Sequence, residues 1–217
     1  MSEQEGRSEQ EGRLYIYRLL KTIFEKPLNK EDLILLRQDP GLEHLAQISQ
    51  GAKIIWNYLE ENKDKDPEEL GQELKQEYQR LFIGPGPVLV PIWESVYFDP
   101  EHLMFGERTL EARECYKKHN LQYIHKNRRP EDHLAVELEF MLFLVQSYLA
   151  CEDQSRQKEL LTDQKHFLFR HLATWKDEFL RLLLYSTCCQ LYKGGGLLLK
   201  EFIEVELNMF EELEEVS

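Results

Sequence analysis

Apolar residues recur at three- and four-residue intervals along most of the chain, the spacing that lays one stripe along an α-helix. Leu14, Tyr17, Leu20 and Phe24 form the first stripe, and Pro27 stops it because proline has no amide hydrogen and crowds the preceding turn. Asn29 is placed to cap a short helix running through Leu36. Asp39-Pro40 is an N-cap followed by proline at the first helical position, and Leu42, Leu45, Ile48, Ala52, Ile55, Trp56 and Leu59 continue from it as one stripe. Asp66-Pro67-Glu68-Glu69 repeats the start signal with a carboxylate three residues after the cap, and Leu70, Leu74, Tyr78 and Leu81 supply the apolar face.

Gly84-Pro85-Gly86-Pro87, with Pro91 following, interrupts this pattern. Residues 83–98 therefore read as a loop, yet one holding Val88, Leu89, Val90, Ile92, Trp93, Val96, Tyr97 and Phe98. Loops ordinarily run over the surface and shed apolar residues. This one either folds back as a lid on its own core or forms a semi-rigid apolar wall for an extended peptide.

Asp99-Pro100 marks another helix start, Glu107–His119 a further helix, and residues 121–129 a basic connector. Pro130–Leu149 carries Leu134, Leu138, Met141, Leu142, Val145 and Leu149 on one face. Later helices are expected at about 152–161, 166–172, 174–192 and 197–213, with Gly194-Gly195-Gly196 breaking the last two apart. No segment alternates with period two. The fold class is all-α: one helical-bundle domain of about nine to eleven helices over residues 14–217, with lobes of about 14–120 and 130–217 joined near 121–129. Residues 1–13 contain SEQEGR twice and no apolar residue after Met1, and read as a polar, disordered tail outside the fold.

Composition narrows the function. The 217 residues include 27 Lys and Arg against 40 Asp and Glu, a formal charge of −13, which argues against nucleic acid as a partner and favours a cationic one. The longest apolar runs are far shorter than the roughly 20 residues that span a bilayer, and no secretory signal opens the chain. Cytoplasmic location without integral membrane association follows as the expectation. Cys115, Cys151, Cys188 and Cys189 form no metal-binding pattern, and four unpatterned thiols suit a reducing compartment. The vicinal Cys188-Cys189 pair reads as two small apolar residues on a helix rather than as a redox centre.

The charge is uneven. Residues 107–129 hold Arg108, Arg113, Lys117, Lys118, Lys126, Arg128 and Arg129 against Glu107, Glu111 and Glu114, an excess of four positive charges. Solvated helix faces account for this, and an anion contact is the alternative. Pro130-Glu131-Asp132-His133 follows directly. Carboxylates there read as acidic capping of the first turn of a long helix, and Asp132 with His133 also offers a hydrogen-bonding edge at a groove rim. His133 and Glu137, four residues apart, make half a metal site, but no third ligand is in view and none is assigned. No nucleophile elbow or P-loop occurs, so no catalytic residue and no cofactor is assigned.

Three segments in order resemble the TorD/DmsD/NarJ family of redox-enzyme maturation chaperones: Tyr78-Gln79-Arg80-Leu81-Phe82-Ile83-Gly84-Pro85, Pro91-Ile92-Trp93-Glu94-Ser95-Val96-Tyr97, and Pro130-Glu131-Asp132-His133. His171-Leu172 and Trp175 before a long amphipathic helix are also similar, and the resemblance covers about residues 14–213. It implies an all-helical cytoplasmic chaperone, not an enzyme, that binds the twin-arginine leader and the body of a molybdopterin oxidoreductase subunit until its cofactor is inserted. A molybdenum-cofactor delivery protein is a further candidate partner. The family's leader-binding groove carries over to Tyr78, Leu81, Phe82, Trp93, Ser95, Tyr97, Asp132 and His133, with Glu131 beside them. The chain departs from the family at Gly194–Gly196 and in having Trp93 as the one tryptophan of its loop. Two other readings stand beside this one: a nucleotide-binding or nucleotide-hydrolysing enzyme using the basic stretch, and a purely structural helical adaptor.

Overall fold

The computed structural model describes residues 3–99, 101, 104–124 and 130–215. The protein is all-α, and no strand occurs among the described residues. In chain order the helices are α1 (Glu3–Glu25), α2 (Lys30–Arg37), α3 (Pro40–Leu45), α4 (Gln50–Glu61), α5 (Pro67–Tyr78), α6 (Ser95–Phe98), α7 (Glu107–Lys118), α8 (Leu134–Ala150), α9 (Gln154–Phe167), α10 (Ala173–Ser186) and α11 (Gln190–Glu215). Two π-helical turns extend them, Gln79–Ile83 after α5 and Leu168–Leu172 after α9. The chain divides into two compact units, each assembled from separated stretches.

One unit comprises Thr22–Ile92 and Lys176–Phe202. Its helix starts follow the capping signals. Asn29 and Asp32 form a reciprocal capping box on α2, and Asp39 and Asp66 accept backbone N–H bonds from Gly41 and Glu68 ahead of Pro40 and Pro67. The 42–59 stripe is two helices rather than one: the chain turns at residues 46–49, Ser49 caps α4 by accepting from Ala52 N–H, and Ile48 is left exposed. An aromatic cluster fills the core, with Phe82 edge-on to Phe24, Tyr78 and Tyr192 at ring separations of 6.1, 4.9 and 5.6 Å. The buried hydroxyls of Tyr78 and Tyr192 donate to the carbonyls of Phe24 and Leu74.

Gly194-Gly195-Gly196 lies inside α11 and does not break it. Here glycine serves close approach. A Cβ on Gly51 of α4 would stand 2.2 Å from the backbone nitrogen of Leu198, and one on Gly194 would stand 2.8 Å from the carbonyl oxygen of Gly51. The two helices touch backbone to backbone, a contact that offsets the propensity lost by glycine in a helix. The expected helix over 174–192 instead ends at Ser186, so Cys188 and Cys189 lie in the turn before α11, where Thr187 Oγ1 accepts from Cys189 N–H. All four cysteines are free thiols.

The other unit comprises Met1–Lys21, Trp93–Trp175 and Ile203–Ser217. The helices expected at 152–161 and 166–172 are one helix, α9, capped by Asp153 and packed along α8. Helix α1 begins at Glu3, within the tract expected to be disordered, and Arg13, the last residue of that tract, is buried in the middle of the helix. Its guanidinium bonds both oxygens of Glu206 at 2.6 Å and Gln164 at 2.9 Å, while Tyr17 O–H adds a 2.6 Å bond to Glu206. A bidentate, fully hydrogen-bonded pair is what burial of two charges demands. The Asp99-Pro100 start and the connector at 121–129 fall partly on residues 100, 102, 103 and 125–129, which lie outside the described residues.

The glycine contact yields a paired expectation. Gly51→Ala should lower the unfolding free energy by about 2–3 kcal/mol, because a methyl group cannot fit against backbone atoms. Gly12→Ala, on an exposed position of α1 with open space around it, should raise it by about 0.5–1 kcal/mol. Urea denaturation reads both, and an unchanged midpoint for Gly51→Ala contradicts the close approach.

Candidate functional site

The Pro-Glu-Asp-His segment is not the first turn of α8. That helix starts at Leu134, and its cap is His133, whose Nδ1 accepts from Ala135 N–H at 3.1 Å. Because Nδ1 accepts, the hydrogen of the neutral ring sits on Nε2. The two carboxylates are engaged elsewhere in the same unit. Glu131 takes a bidentate bond from Arg113 of α7 at 2.8 and 2.9 Å. Asp132, fully buried, accepts from Ser95 N–H at 2.6 Å and from the Thr109 hydroxyl at 2.7 Å. Acidic helix capping is therefore replaced by histidine capping, which leaves both carboxylates to tie α7 and the 93–98 segment to the start of α8.

The apolar loop has two parts. Its first part folds onto its own unit: Gly84 and Gly86 take φ of 94° and 105°, Val90 N–H donates to Leu81 C=O at 3.0 Å, and Val90 and Ile92 are buried. Up to Ile92 it is a lid on its own core. From Trp93 onward it belongs to the other unit. Trp93 pairs with His133 as an isolated antiparallel bridge, their rings 5.4 Å apart and edge-on, and Glu94 N–H donates to Asp132 C=O at 3.0 Å. The rings of Tyr97 and Trp175 pack at a tilt 5.1 Å apart, and Arg108 lies 4.1 Å over the ring of the exposed Phe98.

Behind Trp93 lies a buried polar group. Glu94 Oε2 sits 2.6 Å from His171 Nδ1, Thr174 Oγ1 lies 3.4 Å from Glu94 Oε1, and Arg108 Nε is 3.7 Å from the same oxygen. Glu137 joins them, fully buried, with neither carboxylate oxygen in a hydrogen bond; Glu94 and Trp175 flank it without ideal geometry. Burial first, and the charges of Glu94 and Asp132 next, push the Glu137 carboxyl well above the ordinary carboxylate range. His171 sits in the π-helical turn Leu168–Leu172, its ring stacked on Phe167 at 4.5 Å.

Of the nine residues expected from sequence, Trp93, Ser95, Tyr97, Glu131, Asp132 and His133 belong to this unit. Trp93, Tyr97 and His133 are partly exposed, whereas Ser95, Glu131 and Asp132 are buried. Tyr78, Leu81 and Phe82 belong to the other unit and are buried in its aromatic core, so they present no surface. Glu94, Thr109, Arg113 and His171 are the participants that sequence reasoning gave no role. A charged residue between Trp93 and Ser95 in an apolar loop was the available signal for Glu94. Glu137, paired in sequence with His133, instead faces Glu94 and His171.

Among its described residues, the basic stretch is paired with carboxylates. Arg113 pairs with Glu131, Lys117 with Glu114 and Lys118 with Asp163, while Arg108 bonds Glu111 and the carbonyl of Arg170. A cleft of about 260 Å³ lined by Arg113, Tyr116, Lys117, Asn120, Tyr123 and Glu131 opens beside it. Lys126, Arg128 and Arg129 lie outside the described residues.

A profile of the nitrate reductase delta subunit family matches residues 43–181, which include all nine expected residues. The chain is 33% identical over 129 residues to a probable Tat proofreading chaperone DmsD of Haemophilus influenzae, covering 59% of this chain and 58% of that protein. It is 32% identical over 125 residues to the Tat proofreading chaperone DmsD of Salmonella typhimurium, covering 58% of this chain and 56% of that one. The chaperone protein TorD of Vibrio cholerae is 26% identical over 209 residues, 94% of both chains. The aligned stretch thus spans little more than half of the two DmsD proteins.

The hydrogen bonds of Asp132 set an expectation for stability. Asp132→Ala strands the Ser95 N–H and the Thr109 hydroxyl in the interior and should cost about 2–4 kcal/mol. Asp132→Asn keeps one acceptor and should cost roughly half of that. Equilibrium unfolding in urea measures both, and a neutral Asp132→Ala contradicts the assigned role.

Proposed function

The chain belongs to the nitrate reductase delta subunit family, that of NarJ, TorD and DmsD, and from that membership we propose that it is a maturation chaperone for a redox enzyme. The observation that carries the reading is the family match over 43–181, the stretch that holds the Trp93–His133 face. Its client is a molybdopterin oxidoreductase subunit bearing a twin-arginine leader. The chaperone binds that leader in the cytoplasm and holds the subunit until its cofactor is inserted, before export. No helix among the described residues is long and apolar enough to cross a membrane. The relatives are named as chaperones, which leaves the enzyme alternative without support.

The recognition surface in this reading is Trp93, Tyr97 and His133, with the exposed Phe98 beside them. Trp93 and Tyr97 bury the apolar stretch of the leader at about 25 cal/mol per Å² before ordering costs. His133 packs its ring edge-on against Trp93 at this surface. A guanidinium finds favourable contact on the face of an aromatic ring, as Arg108 does on Phe98, and the net charge of −13 steers a cationic peptide toward the protein. The buried Ser95, Glu131 and Asp132 act beneath this surface by holding the 93–98 segment and His133 in place. Ordering a flexible leader consumes part of the gross interaction energy, so the complex is releasable.

Calorimetric titration with a twin-arginine leader peptide tests this. Trp93→Ala should weaken binding by about 30-fold, the ~2 kcal/mol typical of a central aromatic anchor. A leader with both arginines changed to lysine should bind at least about tenfold less tightly, because lysine lacks the planar stacking group. Equal affinity for the arginine and lysine leaders, or no binding by the wild-type chain, rejects the proposal.

A further inference from the structure

We propose that Glu94, Glu137 and His171 form a site for a divalent first-row transition ion, with zinc as the best fit. The three residues arise from three separate parts of one unit: the segment before α6, the first turns of α8, and the π-helical turn after α9. Each contributes one donor atom, and those atoms all lie within 4.8 Å of one another. With metal–ligand bonds of about 2.0–2.2 Å, donors around one zinc stand roughly 3–4 Å apart, so side-chain adjustment on the order of 1 Å closes the set.

Two independent features ask for a ligand there. Both oxygens of Glu137 are buried beside Glu94 and Trp175 without a well-formed hydrogen bond, and His171 Nε2 is likewise buried and unbonded, an arrangement native proteins rarely keep unless water or an ion satisfies it. The charges also match: two carboxylates and a neutral imidazole balance one dication, whereas without it two acidic side chains face each other in a dry interior. An imidazole nitrogen with two carboxylates suits zinc better than magnesium, which keeps water and all-oxygen ligands. Arg108 beside Glu94, the Thr174 hydroxyl at 3.4 Å and the Phe167 ring against His171 supply the surrounding contacts that orient such ligands. An ion here would tie the segment carrying Trp93 and Tyr97 to α8 and to the π-helical turn.

The test needs no client protein. Chelator-treated chain is titrated with Zn²⁺, and with Mg²⁺ as the control, by calorimetry and thermal unfolding. One zinc per chain and a raised unfolding midpoint are expected, with no response to Mg²⁺. Glu137→Gln keeps the shape of the neutral acid, so it should fold and lose the stoichiometric zinc. Should that variant fold poorly, X-ray absorption of the zinc-loaded wild type decides, with one imidazole and oxygen ligands expected. Retention of zinc by Glu137→Gln, failure of the wild type to bind it at micromolar concentration, or a spectrum with sulfur or several imidazoles overturns the site. A wild type that binds no zinc points instead to a protonated Glu137 held against Glu94.

Discussion

Placing carboxylates among packed helices is costly unless each one is hydrogen-bonded, paired or kept neutral. One unit of this protein buries Glu94, Glu131, Asp132 and Glu137 together, and that cost organises it. Asp132 binds the backbone of the 93–98 segment and the Thr109 hydroxyl; Glu131 clamps Arg113; Glu94 takes His171. These bonds join residues 18 to 77 positions apart. Together they place Trp93, Tyr97 and His133, which are partly open to solvent, on a scaffold that cannot shift without stranding a buried charge.

The irregular turns serve the same end. A π-helical turn admits an extra residue per turn and commonly marks a functional position. At Gln79–Ile83 it lets the adjacent Leu81 and Phe82 both point into the aromatic core, closed by the Gly84 N–H bond to Gln79 C=O at 2.8 Å. At Leu168–Leu172 it turns both His171 and Leu172 inward. The three segments that carry the family resemblance thus differ in kind. The tyrosine–leucine–phenylalanine run builds a core, whereas the tryptophan loop and the aspartate–histidine turn meet in one paired segment.

Local chemistry made much of this legible. The caps at Asn29, Asp39 and Asp66 act where their spacing put them, because capping is settled within four residues. The break at Gly84–Pro87 and the all-α class follow from backbone chemistry alone. Reading failed where a distant contact overruled a local preference. Three glycines in a row predict a break, but the helix runs through them, and at Gly194 α4 approaches so closely that a Cβ does not fit. A polar tract ending in Arg13 predicts disorder, but Glu206, 193 residues away, receives that arginine.

By itself, then, the sequence determined the all-α class, the helix starts at Asn29, Asp39 and Asp66, the break at Gly84–Pro87 and the family resemblance, all encoded in spacings of a few residues. Only the tertiary structure decided that Asp132 is a buried support rather than a rim group. It alone turned His133 into a helix cap, and gathered Glu94, Glu137 and His171 at one point. Those assignments depend on which carboxylate each buried donor meets, a choice made by the packing of helices whose contributing residues lie far apart along the chain.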